Sequence, residues 1–266
     1  MPQPASRTAL VTGASSGIGR AVAAALVERG YRVVGTSRKP EAVSDPVPGV
    51  EYVALDLADD ASVEACAEQV GAVDVLVNNA GESQSGPFEE LPGAALERLF
   101  RINVFGAVRL TQLVLPGMRE RGYGRVIMVG SMLASFPLAY RSSYVASKAA
   151  VKGFADALRR EVEPYGVGVS TVEPGSINTG ISERRTQYLR KDSPFGDEYR
   201  TMLSALNANE AKGITAERVA GTVLRAVEAP APRPLYAVGS NAPVVFALRR
   251  LFPRSLMLRI LSLIHI

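Results

Sequence analysis

The sequence predicts an α/β protein built on a doubly wound parallel sheet of about seven strands, with helices on both faces. Short apolar runs of strand length alternate with longer amphipathic stretches from residue 8 to residue 238, the pattern of a parallel sheet with crossover helices. A length of 266 residues is enough to bury a large core in one domain. No linker, low-complexity segment or internal repeat interrupts the alternation, so the sequence favours a single domain.

Seven apolar runs are the predicted strands, and they set the bounds of the domain. They cover residues 8–11, 32–35, 50–54, 73–77, 125–129, 168–172 and 235–238. The expected domain spans residues 7–240. Residues 1–6 are expected to form a disordered leader, and residues 241–266 an apolar, basic, helical tail.

The first strand runs into a glycine-rich turn that opens a helix, a pattern typical of a phosphate-binding site. The turn reads Thr12-Gly13-Ala14-Ser15-Ser16-Gly17-Ile18-Gly19. Main-chain N–H groups in such a turn can approach a pyrophosphate at the positive end of the helix dipole. Gly13 would allow the tight turn, Gly17 the close backbone approach and Gly19 the packing of helix on strand. A loop used only for chain reversal is the alternative, and the strand–turn–helix context favours phosphate binding.

The end of the second predicted strand, residues 31–37, indicates which dinucleotide this turn would hold. A site selective for NAD carries an acidic side chain here, which accepts hydrogen bonds from the ribose hydroxyls. This chain has Ser37 followed by Arg38, and a hydroxyl and a guanidinium can bind the 2′-phosphate that a carboxylate would repel. The sequence therefore favours NADP(H). A solvated Arg38, or a site that accepts both dinucleotides, would show the same residues.

Tyr144 and Lys148 lie four residues apart in a helical stretch and are the candidates for proton transfer. Positions i and i+4 share one face of a helix, so the phenol and the ammonium can meet. A neighbouring cation favours the ionised form of a phenol, which would let the tyrosine give or take a proton near neutral pH. The same spacing occurs by chance in helices where the tyrosine packs and the lysine is solvated. The spacing therefore indicates proton transfer only in combination with the motifs around it.

The scarcity of cysteine and histidine excludes several kinds of chemistry. The single cysteine, Cys66, falls at an apolar position of a predicted helix and is expected to be a buried, inert thiol. His265 is the only histidine, so a Ser-His-Asp triad has no plausible base, and no spacing of His, Cys, Asp and Glu suits a metal. No signal-peptide pattern opens the chain, so a cytoplasmic location is expected.

Nucleic acid is not expected as a partner, because four arginines in residues 241–266 account for the net charge of +4 and leave the rest of the chain near neutral.

Six ordered elements of the chain resemble the motifs of the short-chain dehydrogenase/reductase superfamily, whose members have a Rossmann fold. They are the glycine-rich turn, Asn78-Asn79-Ala80-Gly81 after the fourth strand, Asn103 on the next helix, Ser131 at the end of the fifth strand, the Tyr144–Lys148 pair, and Pro174-Gly175 followed by Thr179. Ser131 lies 13 residues before Tyr144, as the family's catalytic serine does. The resemblance covers about residues 7–180 and is closest in character to NADP-dependent steroid and retinol reductases.

The resemblance implies a catalytic domain over residues 7–240 and a catalytic tetrad of Asn103, Ser131, Tyr144 and Lys148. In the reductive direction Tyr144 would donate a proton to the carbonyl oxygen and Ser131 would hydrogen-bond that oxygen. Lys148 would hold the nicotinamide ribose, and Asn103 would hold a water that links Lys148 to solvent. Ser135 could replace Ser131, and Tyr140 could replace Tyr144, although neither has the strand-end position or the lysine partner.

The resemblance also implies which residues would bind NADP(H). Asp56 would contact the adenine amino group, although an aspartate at a strand end is also an ordinary turn former. The full set is Gly13, Ser15, Ser16, Gly17, Ile18, Gly19, Ser37, Arg38, Asp56, Leu57, Asn79, Ala80, Gly81, Tyr144, Lys148, Pro174, Gly175, Ile177 and Thr179.

Residues 180–212 correspond to the segment that closes over the substrate in this family. The segment is charged but carries apolar residues at helical spacing, which indicates an amphipathic lid and is explained equally well by packing. No arginine stands out as a carboxylate clamp, and a hydrophobic ketone or aldehyde, or its alcohol, is the expected substrate. Steroid-like, retinoid-like and fatty-acyl carbonyl compounds all fit. The apolar cleft would be lined by Met132, Leu133, Phe136, Pro137 and Leu138.

The tail, residues 241–266, combines many apolar residues with four arginines and no acidic residue. Pro253 and the arginines interrupt it too often for a membrane span, which needs about 20 predominantly apolar residues. Three interpretations are open: it folds back over the substrate cleft, forms an oligomer contact, or lies in a membrane interface with its arginines toward the headgroups. The first two are favoured, because packing is the usual fate of apolar helical surface.

Three other functions fit the sequence less well. A non-catalytic NADP(H) sensor commonly lacks the tyrosine or the lysine, and a sugar-nucleotide epimerase usually has a longer substrate domain. A 3-ketoacyl reductase usually ends after its last strand, whereas this chain continues into the tail. Helices that carry Asn103 and Tyr144 form the subunit interface in many relatives, so a homodimer or homotetramer is expected by analogy.

Overall fold

A computed structural model describes residues 7–180, 183–253 and 256. Seven parallel strands form one sheet in the order β3-β2-β1-β4-β6-β7-β9, and helices cover both of its faces. Two further short strands pair outside it, in parallel. The elements are β1 (Thr8–Val11), α1 (Gly17–Glu28), β2 (Arg32–Ser37), β3 (Val50–Ala54), α2 (Asp60–Val70), β4 (Val75–Asn78), β5 (Gln84–Ser85), α3 (Gly93–Phe100), α4 (Ala107–Glu120), β6 (Gly124–Val129), α5 (Ser142–Val162), β7 (Val167–Pro174), β8 (Thr186–Gln187), α6 (Gly196–Ala211), α7 (Ala216–Glu228), β9 (Leu235–Val238) and α8 (Ala242–Leu251).

The strand order confirms the expected doubly wound α/β sheet of seven strands. The chain moves outward from β1 to β3, returns to pair β4 beside β1, and then moves outward in the other direction to β9. Each strand in turn feeds a crossover, so every carboxyl end lies at the same edge of the sheet. The strands differ from their expected bounds only at the ends. No strand end differs by more than two residues, and β7 extends to Pro174 because its last residues pair with β9.

The apolar core lies in two layers, one on each face of the sheet. Alternation along β1 shows the division, because Leu10 packs in one layer and Ala9 and Val11 pack in the other. Helices α2, α4 and α5 cover the face of Leu10, and α1 and α7 cover the opposite face. A sheet buried on both faces explains why its strands are continuous apolar runs rather than alternating ones.

Helices α3 and α4 are joined without a break by a π-helical turn, residues Arg101–Gly106. The wider turn shifts the helical register and places Asn103 inward, where it is buried. Gly106 ends this turn against the loop after β3. A Cβ on Gly106 would clash with the carbonyl oxygen of Leu57, so only glycine allows the two segments to lie this close.

Two C-terminal segments pack over the carboxyl edge of the sheet. Helix α6 buries Tyr199, Met202 and Leu206 against Leu138, and β8 pairs with β5. Helix α8 buries Ala242 against the loop that follows β6. The expected leader, residues 181–182 of the expected lid and most of the tail beyond Pro253 lie outside the described residues. In the part of the chain that is described, no helix has the length and apolar character needed to cross a bilayer.

Candidate active site

A continuous cleft runs along the carboxyl edge of the sheet, where the strand order reverses between β1 and β4. Ligands of open α/β sheets bind at this position. The cavity in it measures about 1360 Å³, which exceeds the roughly 300–1,000 Å³ of a site for one small ligand. The cleft therefore has room for two molecules side by side. Every site residue expected from the sequence lines it except Gly19 and Asn103, which contact residues of its wall.

The glycine-rich turn after β1 has a tight backbone geometry that depends on its glycines. Gly13 and Gly17 both have a positive φ, 67° and 55°, which other residues rarely adopt. A Cβ on Gly19 would clash with the carbonyl oxygen of Gly13, so Gly19 brings helix α1 against the turn. Ser16 precedes α1 without capping it through its side chain, and the first turn of α1 contains no acidic residue. The N–H groups at this helix end are thus suited to bind an anion.

Two hydrogen-bonded segments hold the floor of the cleft. The hydroxyl of Thr12 accepts hydrogen bonds from the main-chain N–H groups of Asn79 and Ala80, both at 2.9 Å. In return the side chain of Asn79 donates to the carbonyl oxygen of Thr12 at 2.9 Å. The end of β4 is therefore locked to the glycine-rich turn. This explains why a threonine and an asparagine belong to these two motifs.

The two residues that would bind a 2′-phosphate lie together at one end of the cleft. Ser37 is the last residue of β2, and its hydroxyl accepts a hydrogen bond from Lys39 N–H at 3.3 Å. Arg38 is exposed and has no ion-pair partner among the described residues. Asp56 also lines this end, and its carboxylate accepts a hydrogen bond from Ala58 N–H at 2.9 Å. Asp56 therefore forms a turn and faces the cleft as well.

Tyr144, Lys148 and Ser131 converge on the middle of the cleft. Tyr144 and Lys148 lie one turn apart on α5, with the Lys148 ammonium 5.9 Å from the Tyr144 ring centroid. The ammonium donates a hydrogen bond to the carbonyl oxygen of Val129 at 2.9 Å, which fixes it beneath the end of β6. Ser131 follows that strand and begins a short 3₁₀ turn. Tyr144 and Lys148 are 8 % and 7 % exposed, so their chemistry would take place away from bulk water.

Asn103 does not line the cleft, but its hydrogen bonds hold in place the segments that carry the cleft residues. Its amide oxygen accepts a hydrogen bond from Glu82 N–H at 2.8 Å, and its amide nitrogen donates to the Glu82 carbonyl oxygen and the Ser147 hydroxyl. The side chain therefore ties the segment after β4 to helix α5. Both amide hydrogens have protein partners, so a water held by Asn103 would have to donate to one of its oxygen atoms.

The two residues that could have replaced Ser131 and Tyr144 are engaged elsewhere. Ser135 donates to the buried carboxylate of Glu173 at 2.9 Å and accepts from Lys152, and it does not line the cleft. Tyr140 stacks edge-on against Tyr199, and burial together with a hydrogen bond to Glu198 raises the pKa of its phenol to about 12. Geometry therefore favours Ser131 and Tyr144.

The far side of the cleft is apolar, and the tail contributes to it. Four of the five residues expected here line the cleft, and Pro137 does not: the lining residues are Met132, Leu133, Phe136 and Leu138. Val245 and Leu248 of α8 complete the wall, where the Phe136 and Phe246 rings meet edge-on with centroids 5.0 Å apart. The described part of the tail thus lies at the edge of the cleft.

Three arginines that line the cleft, Arg98, Arg141 and Arg184, were not among the site residues expected from the sequence. Arg184 donates to the Ser16 hydroxyl at 3.0 Å and to the Thr179 carbonyl oxygen, which connects the segment after β7 to the glycine-rich turn. Arg141 is buried in the cleft, with its guanidinium carbon 4.5 Å from the Tyr144 ring centroid. The expectation that no arginine stands out as a carboxylate clamp did not take these side chains into account. The one available signal was the position of Arg141 three residues before Tyr144, on the same helical face.

The segment after β7 closes the cleft on its remaining side. Pro174, Gly175, Ile177 and Thr179 all line it. Gly175 has no room for a Cβ beside the Ser240 side chain, so the loop lies against the end of β9. Residues 183–212 contribute six residues to the lining: Arg184, Thr186, Leu206, Asn209, Glu210 and Lys212. No group of His, Cys, Asp and Glu side chains within the described ranges is arranged to hold a metal ion.

The chain is similar to known short chain dehydrogenases and reductases over most of its length. The family model for short chain dehydrogenase matches residues 7–189. The chain is 33 % identical over 244 residues to 3-ketodihydrosphingosine reductase of Bacteroides thetaiotaomicron, covering 90 % of each protein. It is 32 % identical over 263 residues to NADPH-dependent 3-dehydrocapnine reductase of Ornithobacterium rhinotracheale, covering 93 % of each.

Solved structures of short-chain dehydrogenases have the same fold as this chain. A short-chain dehydrogenase from Streptomyces avermitilis superimposes with a TM-score of 0.81 at 34 % identity, covering 94 % of this chain and 95 % of that one. A short-chain dehydrogenase from Burkholderia cenocepacia in complex with NADP superimposes with a TM-score of 0.78 at 28 % identity, covering 96 % and 97 %.

Proposed function

The chain belongs to the short-chain dehydrogenase family, and on this premise we propose that it interconverts a hydrophobic ketone or aldehyde and its alcohol with NADP(H). The observation that carries the proposal is the single cleft in which Tyr144, Lys148 and Ser131 lie between a glycine-rich anion site and an apolar wall. Residues 7–240 would form the catalytic domain and residues 180–212 the substrate lid. One end of the cleft would hold the dinucleotide and the other the substrate.

NADPH, when bound, supplies the hydride that the carbonyl carbon accepts. Tyr144 donates its phenolic proton to the carbonyl oxygen as that oxygen becomes negative, and Ser131 stabilises the same charge with a hydrogen bond. The Lys148 ammonium, held by Val129, stabilises the phenolate that proton donation leaves behind. Asn103 keeps α5 and the segment after β4 in place, so these three side chains stay in register. In the oxidative direction each step reverses.

The preference for NADP(H) over NAD(H) is supported by Ser37 and Arg38 and by the NADPH dependence in the name of one relative. We expect Arg38→Asp to lower kcat/KM for NADPH relative to NADH by about 10- to 100-fold, because a carboxylate would repel the 2′-phosphate that the guanidinium binds. Initial rates with each dinucleotide measure the ratio. Lys39→Asp is the matched control, since Lys39 is the next residue and does not line the cleft. An unchanged ratio in Arg38→Asp would show that Arg38 does not read the phosphate.

The activity itself is tested with purified enzyme, NADPH and a panel of ketones and aldehydes that differ in the length of the apolar chain. We expect consumption of NADPH, seen as loss of the reduced-nicotinamide absorbance, with kcat/KM rising as the chain lengthens along the apolar wall. Tight NADPH binding without turnover of any carbonyl compound, or of the matching alcohols with NADP⁺, would contradict the proposal and favour a sensor.

A further inference from the structure

Arg141 is a buried cation whose hydrogen-bonding capacity is largely unused. It is 3 % exposed and belongs to the lining of the cleft, and its guanidinium lies against the Tyr144 ring. One nitrogen, Nη2, donates to the Ser83 hydroxyl at 3.0 Å. The other two nitrogens, Nε and Nη1, are buried and have no hydrogen-bond partner among the described residues. A buried guanidinium in this state loses its hydration without compensation, so the fold retains a group that a ligand could satisfy.

The charge of Arg141 is also unbalanced by the groups that face it. These are Tyr144, Tyr199, Arg185 and Glu210. Glu210 places both carboxylate oxygens 2.6 Å from Arg185, so two guanidinium groups share one carboxylate in this set of residues. Burial lowers the pKa of the Arg141 guanidinium to about 10, which keeps the group protonated at neutral pH. The cleft is therefore positive next to the proposed proton donor.

The position of Arg141 defines where an anion would sit. Its guanidinium carbon lies 4.5 Å from the Tyr144 ring centroid, and Arg141 immediately precedes α5. A planar guanidinium offers a fork of donors that matches two oxygens of one oxyanion. Because Tyr144 must also reach the carbonyl oxygen, the oxyanion and the carbonyl would lie within a few bonds of each other.

We propose that Arg141 binds an oxyanion of the substrate, so that the substrate is an amphiphilic oxo compound with a carboxylate, sulfonate or phosphate close to its carbonyl group. This rests on the proposed function and narrows its substrate class. The apolar part of the molecule extends in the other direction, along Phe136, Val245 and Leu248. The ion pair between the Arg141 guanidinium and the bound oxyanion would be sheltered from water, because Arg141 and Tyr144 are both buried.

Binding to the full chain with saturating NADP⁺ tests the site without relying on turnover. The probes are octanoate and methyl octanoate, which share the chain and differ in charge, and titration calorimetry measures each Kd. We expect wild type to bind octanoate at least about tenfold more tightly than the ester, and Arg141→Met to remove that preference while its affinity for the ester stays within about threefold. Arg141→Lys should keep part of the preference, since it retains the charge and loses the fork.

Two controls separate the site from general charge effects and from misfolding. Arg32→Met removes an exposed arginine that pairs with Glu51 far from the cleft, and it should bind octanoate as wild type does. Each variant should keep the NADP⁺ affinity of wild type, which shows that its cleft is intact. Equal affinity of wild type for octanoate and the ester, or loss of both in Arg141→Met at unchanged NADP⁺ affinity, would overturn the proposal.

Kinetics then distinguish failure of this inference from failure of the proposed function. With 3-oxooctanoate and its methyl ester, we expect wild type to favour the acid, and Arg141→Met to lower kcat/KM for the acid alone. A similar loss for acid and ester would instead mean that Arg141 only positions the Tyr144 ring. Absence of turnover of both compounds by wild type, with selective octanoate binding preserved, would contradict the proposed function and leave the oxyanion site standing.

Discussion

At the scale of single residues, the partners of a side chain decide whether it is available for chemistry. Ser131 and Ser135 lie four residues apart, yet Ser135 is held by Glu173 and Lys152 while Ser131 faces the cleft. Tyr140 and Tyr144 differ in the same way. Burial holds the Tyr140 phenol in its protonated form, and Tyr144 lies beside the ammonium of Lys148.

A pH-dependent contribution to stability belongs to Cys66, on α2. Burial raises the pKa of its thiol from the usual 9.0 to about 11, so the folded protein keeps the thiol proton to a higher pH than the unfolded chain does. The unfolded state therefore binds fewer protons between pH 9 and pH 11, and stability falls as the pH rises through this window. We expect the urea midpoint of wild type to fall more steeply between pH 8 and pH 10.5 than that of Cys66→Ala. Parallel curves for the two proteins would mean that the thiol titrates alike in both states.

Sequence patterns predicted most of the cleft, because its backbone geometry depends on residue types. Gly13, Gly17 and Gly19 are needed for positive φ and close approach, and such requirements are visible in a sequence. Arg141 could not be identified in this way. Its burial, and the lack of a hydrogen-bond partner for two of its nitrogens among the described residues, arise only when α5, α6 and the segment after β4 meet.

At the scale of elements, irregular segments place the functional groups. The π-helical turn between α3 and α4 turns Asn103 toward Glu82 and Ser147, and a regular helix would shift that side chain around the axis. The family resemblance placed Asn103 on a helix, but one extra residue in a helical turn leaves little trace in a sequence. The tail was open to three interpretations because one amphipathic pattern suits a cleft, a subunit or a membrane.

The packing of helix α8 against the cleft predicts how a substitution at Phe246 changes KM. The Phe246 ring packs edge-on against Phe136, and such a pair contributes about 0.5–1.5 kcal/mol beyond its buried area. Phe246→Ala should therefore loosen the apolar wall and raise KM for a long-chain carbonyl substrate by about 3- to 10-fold, with kcat and NADPH affinity unchanged. Val244→Ala, on the exposed side of α8, is the control. Equal effects of the two substitutions on KM would show that α8 does not border the substrate.

At the scale of the whole molecule, the sheet provides the frame and its carboxyl edge provides the chemistry. Because both faces of the sheet are buried, surface that could meet another subunit lies on the outer sides of the helices. Two large aromatic side chains are exposed there, Phe105 in the π-helical turn and Phe154 on α5, at 49 % and 46 %. On α8, Val244 and Leu251 are exposed beside Arg249 and Arg250, a surface that suits either self-association or contact with a membrane.

We propose that the helices carrying Asn103 and Tyr144 form a homo-oligomer interface, and Phe154 allows a test. A glutamate at its position would bury a charge in such an interface, so Phe154→Glu should shift the wild-type dimer or tetramer to a smaller species. Light scattering coupled to size-exclusion chromatography measures the mass. Phe88→Glu is the control, since Phe88 is 77 % exposed on a separate segment. A monomeric wild type, or an unchanged mass of Phe154→Glu, would contradict this interface.

The most direct test of the account is the effect of Tyr144→Phe on kcat/KM, measured together with the Kd for NADPH. This change removes one hydroxyl from a buried ring and leaves Lys148 and its bond to Val129 in place. Loss of a general acid should reduce kcat/KM by about 100-fold or more, while NADPH binds within about threefold of wild type. A variant that turns over carbonyl substrates as fast as wild type would show that Tyr144 is not the proton donor.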